Sequence, residues 1–457
     1  MTSWLSRRTL SWRTVPKEIF SSSCFTTRKF IQSRYFTISA PSVEYGIIEG
    51  VESIGHYRLG RYFPVHIDDR LNKQYRIVHK LGHGSFSTVW LAIDETTRKY
   101  VAIKVGTVDA ERSEINILSQ MAQNPVSGNM WEYETSPVPI VLDQFEIDRP
   151  QGTYPCLLDV ARSLAAQLVH AVSLVHNRGY AHGDLHLGNI FLQLRSSLDV
   201  LSVEQLYDRY GQPEKEPVIC LDPKAASKDS SVPSYVVHPI WLGLPGNEVT
   251  LGDAKLMLSD FGVAFRPDDK SRFASHIPLV LRPPEALFEP ETPLALASDI
   301  WSLGCVIFEL LSHRTLLDGY FLAPQDYITA QQVDLQGPMP SLWWSRWEDR
   351  PKWYSEDGRP LSQACDVWSW ERTFEEWVQN ARRYWKMETL AEDEVEALIK
   401  LLRCMLAWKP SSRPDTLKVL ESEWMIRWAL TCISERIKGG FIFSEYAMPS
   451  SLSSRVL

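Results

Sequence analysis

At 457 residues the chain is too long for one small core, and 44% hydrophobic residues with a formal charge of −8 exclude a fibrous or an extended acidic chain. Seven cysteines, with no CxxC pair and no Cys/His cluster at ligand spacing, exclude a disulfide framework and a zinc site, so reduced, buried thiols are expected. No run of about 18 apolar residues occurs, and the longest candidate, residues 300–311, is interrupted by Ser302 and Glu309, so no membrane span is expected.

The charge is unevenly spread. Residues 1–40 hold seven Lys or Arg and one acid, which leaves −14 for the remainder. They are rich in Ser and Thr, carry Arg7, Arg8, Arg13, Arg28 and Arg34, and close on Arg34-Tyr35-Phe36-Thr37. That composition suits an amphipathic mitochondrial transit peptide, the alternative being a basic arm with no address on a protein of the cytoplasm and nucleus. Nothing beyond charge supports direct nucleic-acid binding. The acidic remainder has two readings, solubility or attraction of basic substrates.

Residues 41–74 read as a linker and N-terminal extension, and alternation begins at Tyr75-Arg76-Ile77-Val78. Strands are predicted over 75–105, a helix over 110–121, a Pro- and Gly-containing loop over 123–138 and a strand pair over 140–158. Leu164, Leu168, Ala171, Val172 and Val175 then recur at helical spacing, with Asp159 as N-cap. Residues 193–257 form an insert with a helix-like Ser202–Tyr207, a polar 224–231 and an apolar 235–244. Its length predicts that part packs on the domain and part moves.

The chemistry-bearing segments sit on this frame. Leu81-Gly82-His83-Gly84-Ser85-Phe86-Ser87-Thr88-Val89 joins two strands, and its glycines let the backbone approach phosphate oxygens without a Cβ clash. The third glycine of a GxGxxG pattern is Ser87 here. Val101-Ala102-Ile103-Lys104 follows as a buried strand ending in a lysine placed to pair with nucleotide phosphates. Glu114, with Glu111 as the competing choice, stands on the next helix where a carboxylate orients Lys104. Further on lie His182-Gly183-Asp184-Leu185-His186-Leu187-Gly188-Asn189 and Asp260-Phe261-Gly262.

These two loops resemble the metal and proton loops of protein kinase-like phosphotransferases. Pro283-Pro284-Glu285, Ser298-Asp299-Ile300-Trp301-Ser302-Leu303-Gly304 and Arg413 in Pro410–Pro414 resemble the large lobe of eukaryotic protein kinases. Tyr57–Gly60, Leu81–Leu91, the long insert and Arg346–Trp353 are similar to the SR-protein kinase-like group, in particular a fungal set, over residues 51–430. The resemblance implies an α+β, two-lobed kinase fold, with a mostly-β small lobe at 75–158, a mostly-α large lobe at 159–432 and a tail at 433–457. It implies a serine/threonine protein kinase that uses ATP and Mg2+ on protein substrates, Arg/Ser-rich or basic, and acts as a monomer. Asp184 would be the base, His186 would stand beside the transferred phosphoryl group, Asn189 and Asp260 would hold metal, and Glu285 would pair with Arg413. Leu81 to Val89, Ala102 and Lys104 would receive the nucleotide. The tryptophans from Trp343 to Trp385 read as packing rather than a binding box.

Three departures qualify the expectation. Gly183 replaces an arginine that holds a phosphorylated activation loop in many such enzymes, so activity should not require that phosphate. His186 replaces a lysine and offers only partial charge near neutral pH, which predicts a slower enzyme. Cys156-Leu157-Leu158 reads as the last small-lobe strand while Ala161 already lies in a long helix, so the hinge and a helix of about 25 Å are missing where two residues reach about 7 Å. The consequences are an unwound helix, displaced lobes or a gene model lacking an exon. Two alternatives follow: a catalytically silent pseudokinase acting as a binding module, and a small-molecule phosphotransferase of the aminoglycoside or choline type, which the His-Gly-Asp-Leu-His wording also resembles.

Overall fold

The computed structural model describes residues 45–58, 61–107, 113–122, 137–138, 158–194, 197–221, 232–244, 246–268, 271–312, 314–319, 323–361 and 368–433. Helix α1 (Ile54–Arg58) precedes a four-stranded antiparallel sheet in the order β1 (Arg70–Leu71), β2 (Tyr75–His83), β3 (Ser87–Asp94) and β4 (Lys99–Gly106). Helix α2 follows at Ser113–Ala122, overlapping the predicted 110–121 and ending one residue beyond it; Glu111 lies outside the described residues.

Strand β3 is buried on both faces, which is why its sequence is nearly continuous in apolar residues instead of alternating. Trp90 and Ala92 pack with Tyr75, Ile77 and Ile103 on one face. Leu91 and Val78 pack on the other, against Leu198, Leu206 and Ile240 of the insert. The insert therefore leaves the large lobe and docks on the small-lobe sheet. Its helix α4 (Val203–Tyr210) starts at Ser202, whose side chain and that of Gln205 form a capping box. Tyr207 donates to Val78 O at 2.8 Å, and the Ile240 amide donates to Lys80 O at 2.9 Å. Strands β6 (Lys215–Pro217) and β7 (Tyr235–Val237) pair within it, so the apolar 235–244 does pack; the polar 224–231 lies outside the described residues.

Helix α3 spans Leu158–Asn177. This corrects two expectations, because Leu158 is helical rather than the end of a strand, and Asp159 lies in the first turn, paired with Arg162 at 2.8 Å, instead of capping it. A carboxylate in the first turn still favours the helix dipole, so the residue type was informative although its position was not. Apart from Leu158, the strand pair expected over 140–158, and with it Cys156 and the hinge question, lies outside the described residues. Among the described residues α3, not 300–311, is the helix long and apolar enough to cross a membrane, yet 78% of its apolar window is buried inside the protein.

Strands β5 (Ile190–Leu192) and β8 (Leu256–Leu258) pair antiparallel at the base of the insert. The rest is helical: α5 (Glu285–Phe288), α6 (Leu296–Leu311), α7 (Gln325–Gln336), α8 (Ser341–Arg346), α9 (Trp370–Phe374), α10 (Asn380–Tyr384), α11 (Glu392–Met405) and α12 (Thr416–Leu420). Helix α6 is buried along nearly its whole length. Gly304 allows α11 its close approach, since a Cβ there would lie 3.2 Å from Met405 Cβ. Phe288 stacks on Trp343 at 5.5 Å, and Trp347, Tyr354 and Trp408 complete that cluster, so the tryptophans mostly pack, as expected; Trp385 is an exposed exception.

Candidate active site

The registers Val89↔Lys104 and Leu91↔Ala102 place Val89, Ala102 and Lys104 on one face of the sheet, below the Leu81–Val89 hairpin. The hairpin is closed by the Gly84 amide donating to Ser87 O at 2.8 Å, and the Phe86 carbonyl is held by the Thr107 amide at 2.7 Å. Phe86 is exposed at the tip, while His83 is half-buried, and burial lowers its pKa.

Lys104 Nζ lies 2.9 Å from Glu114 and 2.8 Å from Asp260. Burial alone would lower its pKa, but the two carboxylates outweigh that and hold the ammonium charged well above its usual range. Glu114 also accepts the Phe261 amide at 2.9 Å, which ties α2 to the Asp260–Gly262 loop. Phe261 is fully buried and meets the His182 ring edge-on at 4.8 Å.

The loop from His182 to Asn189 is braced from beneath by Asp299 on α6. That carboxylate accepts the His182 amide at 2.7 Å, the Gly183 amide at 3.0 Å and His176 Nε2 at 2.9 Å. Burial pushes its pKa up, yet His176 and these amides leave it lowered overall, so it remains an anion inside the protein. Gly183 has φ of +77°, and a Cβ there would stand 3.2 Å from Val263 O. A side chain at this position would therefore carry backbone strain and a tight contact, which glycine avoids.

Asn189 Nδ2 donates to Asp184 O at 2.8 Å and faces Asp184 Oδ2 at 3.3 Å, which sets the loop's curvature. His186 Nε2 lies 3.5 Å from Asp184 Oδ2. Asp184 Oδ1 is buried and accepts no hydrogen bond within the structure. Burying a carboxylate oxygen without a donor is costly, and such an atom marks a place for a ligand's hydrogen.

Among the described residues no group of three His, Cys, Asp or Glu could hold a metal. Asn189 and Asp260 offer hard oxygen donors instead, which suits Mg2+, an ion usually held by one or two protein ligands and completed by substrate phosphates and water. Glu285 and Arg413 form a bidentate buried pair at 2.7 and 2.6 Å, with Arg413 also donating to Ala297 O, Ala407 O and Trp408 O.

A protein kinase domain model matches residues 75–201 and 245–425, which is more than half of the chain. The chain belongs to the protein kinase domain family. A serine/threonine protein kinase of Aspergillus fumigatus is 25% identical over 387 residues, covering 80% of this chain and 88% of that protein. The serine/threonine-protein kinase SRPK of Physarum polycephalum is 24% identical over 430 residues, 82% of this chain and 91% of that one. Mouse SRSF protein kinase 3 is 27% identical over 185 residues, about a third of each. The expected two-lobed fold and a serine/threonine protein kinase similar to SR-protein kinases are met. Protein kinase domains use ATP and a divalent metal in general, and act on proteins.

The kinase domain match skips residues 202–244, which hold most of the part of the insert that docks on the small lobe. Sequence reasoning missed three contributors around the site: Asp299 as the receiver of the loop amides, His176 as its neighbour, and Tyr62, which reaches the Gly84 carbonyl. Asp299 stood in a quoted motif, but its partners are 116 and 117 residues away and no periodicity reports them.

Proposed function

We propose that this kinase transfers the γ-phosphoryl group of ATP to serine or threonine hydroxyls in basic, Arg/Ser-rich protein segments. Asp184 Oδ1 carries the reading: a buried carboxylate oxygen lacking a donor, on a loop held rigid by Asp299, is where an attacking hydroxyl would place its proton. The hydroxyl oxygen forms the new P–O bond, the γ-phosphorus to bridging-oxygen bond breaks, and Asp184 takes the proton. Lys104, oriented by Glu114, holds the phosphates; Asn189 and Asp260 would hold Mg2+, which supplies charge neutralisation when bound. His186, 3.5 Å from the Asp184 carboxylate, stands beside the transfer.

Two observations support basic substrates. The Physarum relative is named SRPK and the mouse relative SRSF protein kinase 3. A groove of about 700 Å³ between residues 287–292, α7 and residues 342–349 is lined by Glu289, Glu291, Asp326, Glu348 and Asp349 against Arg346. An excess of carboxylates favours arginine-rich chains by steering and charge-assisted hydrogen bonds. Phosphate incorporation should be at least tenfold faster into a peptide with arginines flanking its serines than into the same peptide with alanines; equal rates contradict the substrate assignment. The basic, Ser- and Thr-rich residues 1–40 support a mitochondrial address. A reporter fused to them should co-localise with mitochondria, and a diffuse or nuclear signal counts against it.

A further inference from the structure

Residues 52–58 and 61–67 precede the stretch matched by the kinase domain model, yet they are built into the small lobe. Glu52, Tyr57, Tyr62 and Val65 are buried there. Glu52 accepts both the Tyr57 hydroxyl and the Lys80 ammonium in an enclosed pair, with burial opposing and Lys80 favouring its charge. Lys80 belongs to β2, the strand that leads into the glycine hairpin, and its ammonium sits 5.5 Å from the Trp90 ring centre. This segment therefore lies on the Trp90 face of the sheet, opposite the face that carries Val89, Ala102 and Lys104.

From that side Tyr62 reaches the hairpin. Its hydroxyl donates to Gly84 O at 2.7 Å, and its ring packs on Tyr57 at 5.5 Å and His56 at 5.9 Å. A trans peptide is planar, with carbonyl and amide pointing oppositely. Fixing Gly84 O on Tyr62 thus turns the Ser85 amide away from the strap, toward the Lys104 face. Glycine on its own would let this peptide rotate freely.

We propose that residues 52–58 and 61–67 act as a strap in which Tyr62 is a positioning residue, holding the Gly84–Ser85 peptide with its amide directed at the nucleotide phosphates. The inference rests on the kinase reading for its functional consequence, but not for its structural one. In nucleotide-free protein, Tyr62→Phe keeps the ring packing and removes only the hydroxyl. Amide hydrogen exchange over residues 82–88 should then quicken about fivefold, the worth of one hydrogen bond of about 1 kcal/mol, while exchange in α6 stays as it was. Unchanged exchange at 82–88 overturns the strap. With ATP varied, KM for ATP should rise about five- to tenfold and kcat at saturating ATP should change less than twofold. An unchanged KM for ATP overturns the positioning role. A wild-type chain that binds no nucleotide refutes the kinase reading instead, and the exchange result still decides whether Tyr62 holds the loop.

Discussion

Glu309, on α6 near His186, offers a quantitative check on the buried core beneath the catalytic loop. Burial pushes its carboxyl up to about 7 from an ordinary 4.5, and the nearby His186 opposes this only in part. Below about pH 4.5 the folded and unfolded chains both keep the proton, and the residue is harmless. As pH rises from there, the unfolded chain releases the proton first, so folding becomes less favourable by about 1.4 kcal/mol per unit until the folded group also ionises near 7. The full cost, about 3 kcal/mol, is then present at pH 8 and only a fraction of it at pH 5. Glu309→Gln has no charge to bury. With an unfolding entropy of about 0.8 kcal/mol/K for a folded unit of this size, the variant's Tm should exceed wild type by about 3–4 °C at pH 8 and by about 1 °C or less at pH 5. Thermal unfolding by calorimetry at both pH values reads the difference. Equal shifts at the two pH values would refute the reasoning, because any effect of shape or lost hydrogen bonding is independent of pH.

Two further perturbations separate catalysis from folding. Glu114→Gln removes one of the two charges that hold Lys104 and weakens the tie to the Phe261 amide; phosphoryl transfer should fall about 100-fold with a Tm loss of only a few degrees, measured by initial rates and thermal shift, and a rate within threefold of wild type would contradict the Lys104 assignment. Arg413→Met strands the Glu285 carboxylate in the core and should cost about 3–5 kcal/mol. Urea unfolding checks it, and a loss below about 1 kcal/mol would show that the pair is not structurally required.

The elements most legible in the sequence are those whose chemistry and spacing coincide on one local segment. The glycine hairpin, the His182–Asn189 loop and the Glu285–Arg413 pairing each combine a residue type with a short-range or family pattern, and each falls where it was expected, whereas Lys104, expected to end a buried strand, lies two residues before the end of β4, in which only Ile103 is buried. The start of α3 was misplaced by two residues because Asp159 was read as its N-cap, whereas Leu158, Val160 and Ala161 are all buried in the helix and Asp159 lies in its first turn. The docking of the insert was half legible: apolar residues at 235–244 announced burial, but periodicity names a buried face without naming what covers it, and the cover proved to be the small-lobe sheet. The strap was read as a linker since Glu52, Tyr57 and Tyr62 make one buried network only after Lys80 and Gly84 are folded against them. Gly183 was read by what it lacks, while its positive φ and the nearby Val263 carbonyl show what it provides, a strained turn without a Cβ contact.

Transfer of label from γ-labelled ATP to an Arg/Ser-rich peptide, compared between wild type and Asp184→Asn, tests the central claim most directly. The variant retains the shape of the loop and loses the carboxylate that takes the proton, so transfer should fall by two to four orders of magnitude while Mg-ATP still raises the Tm of both proteins. Equal label transfer by the two proteins, or no transfer by a wild type whose Tm ignores millimolar Mg-ATP, would contradict it.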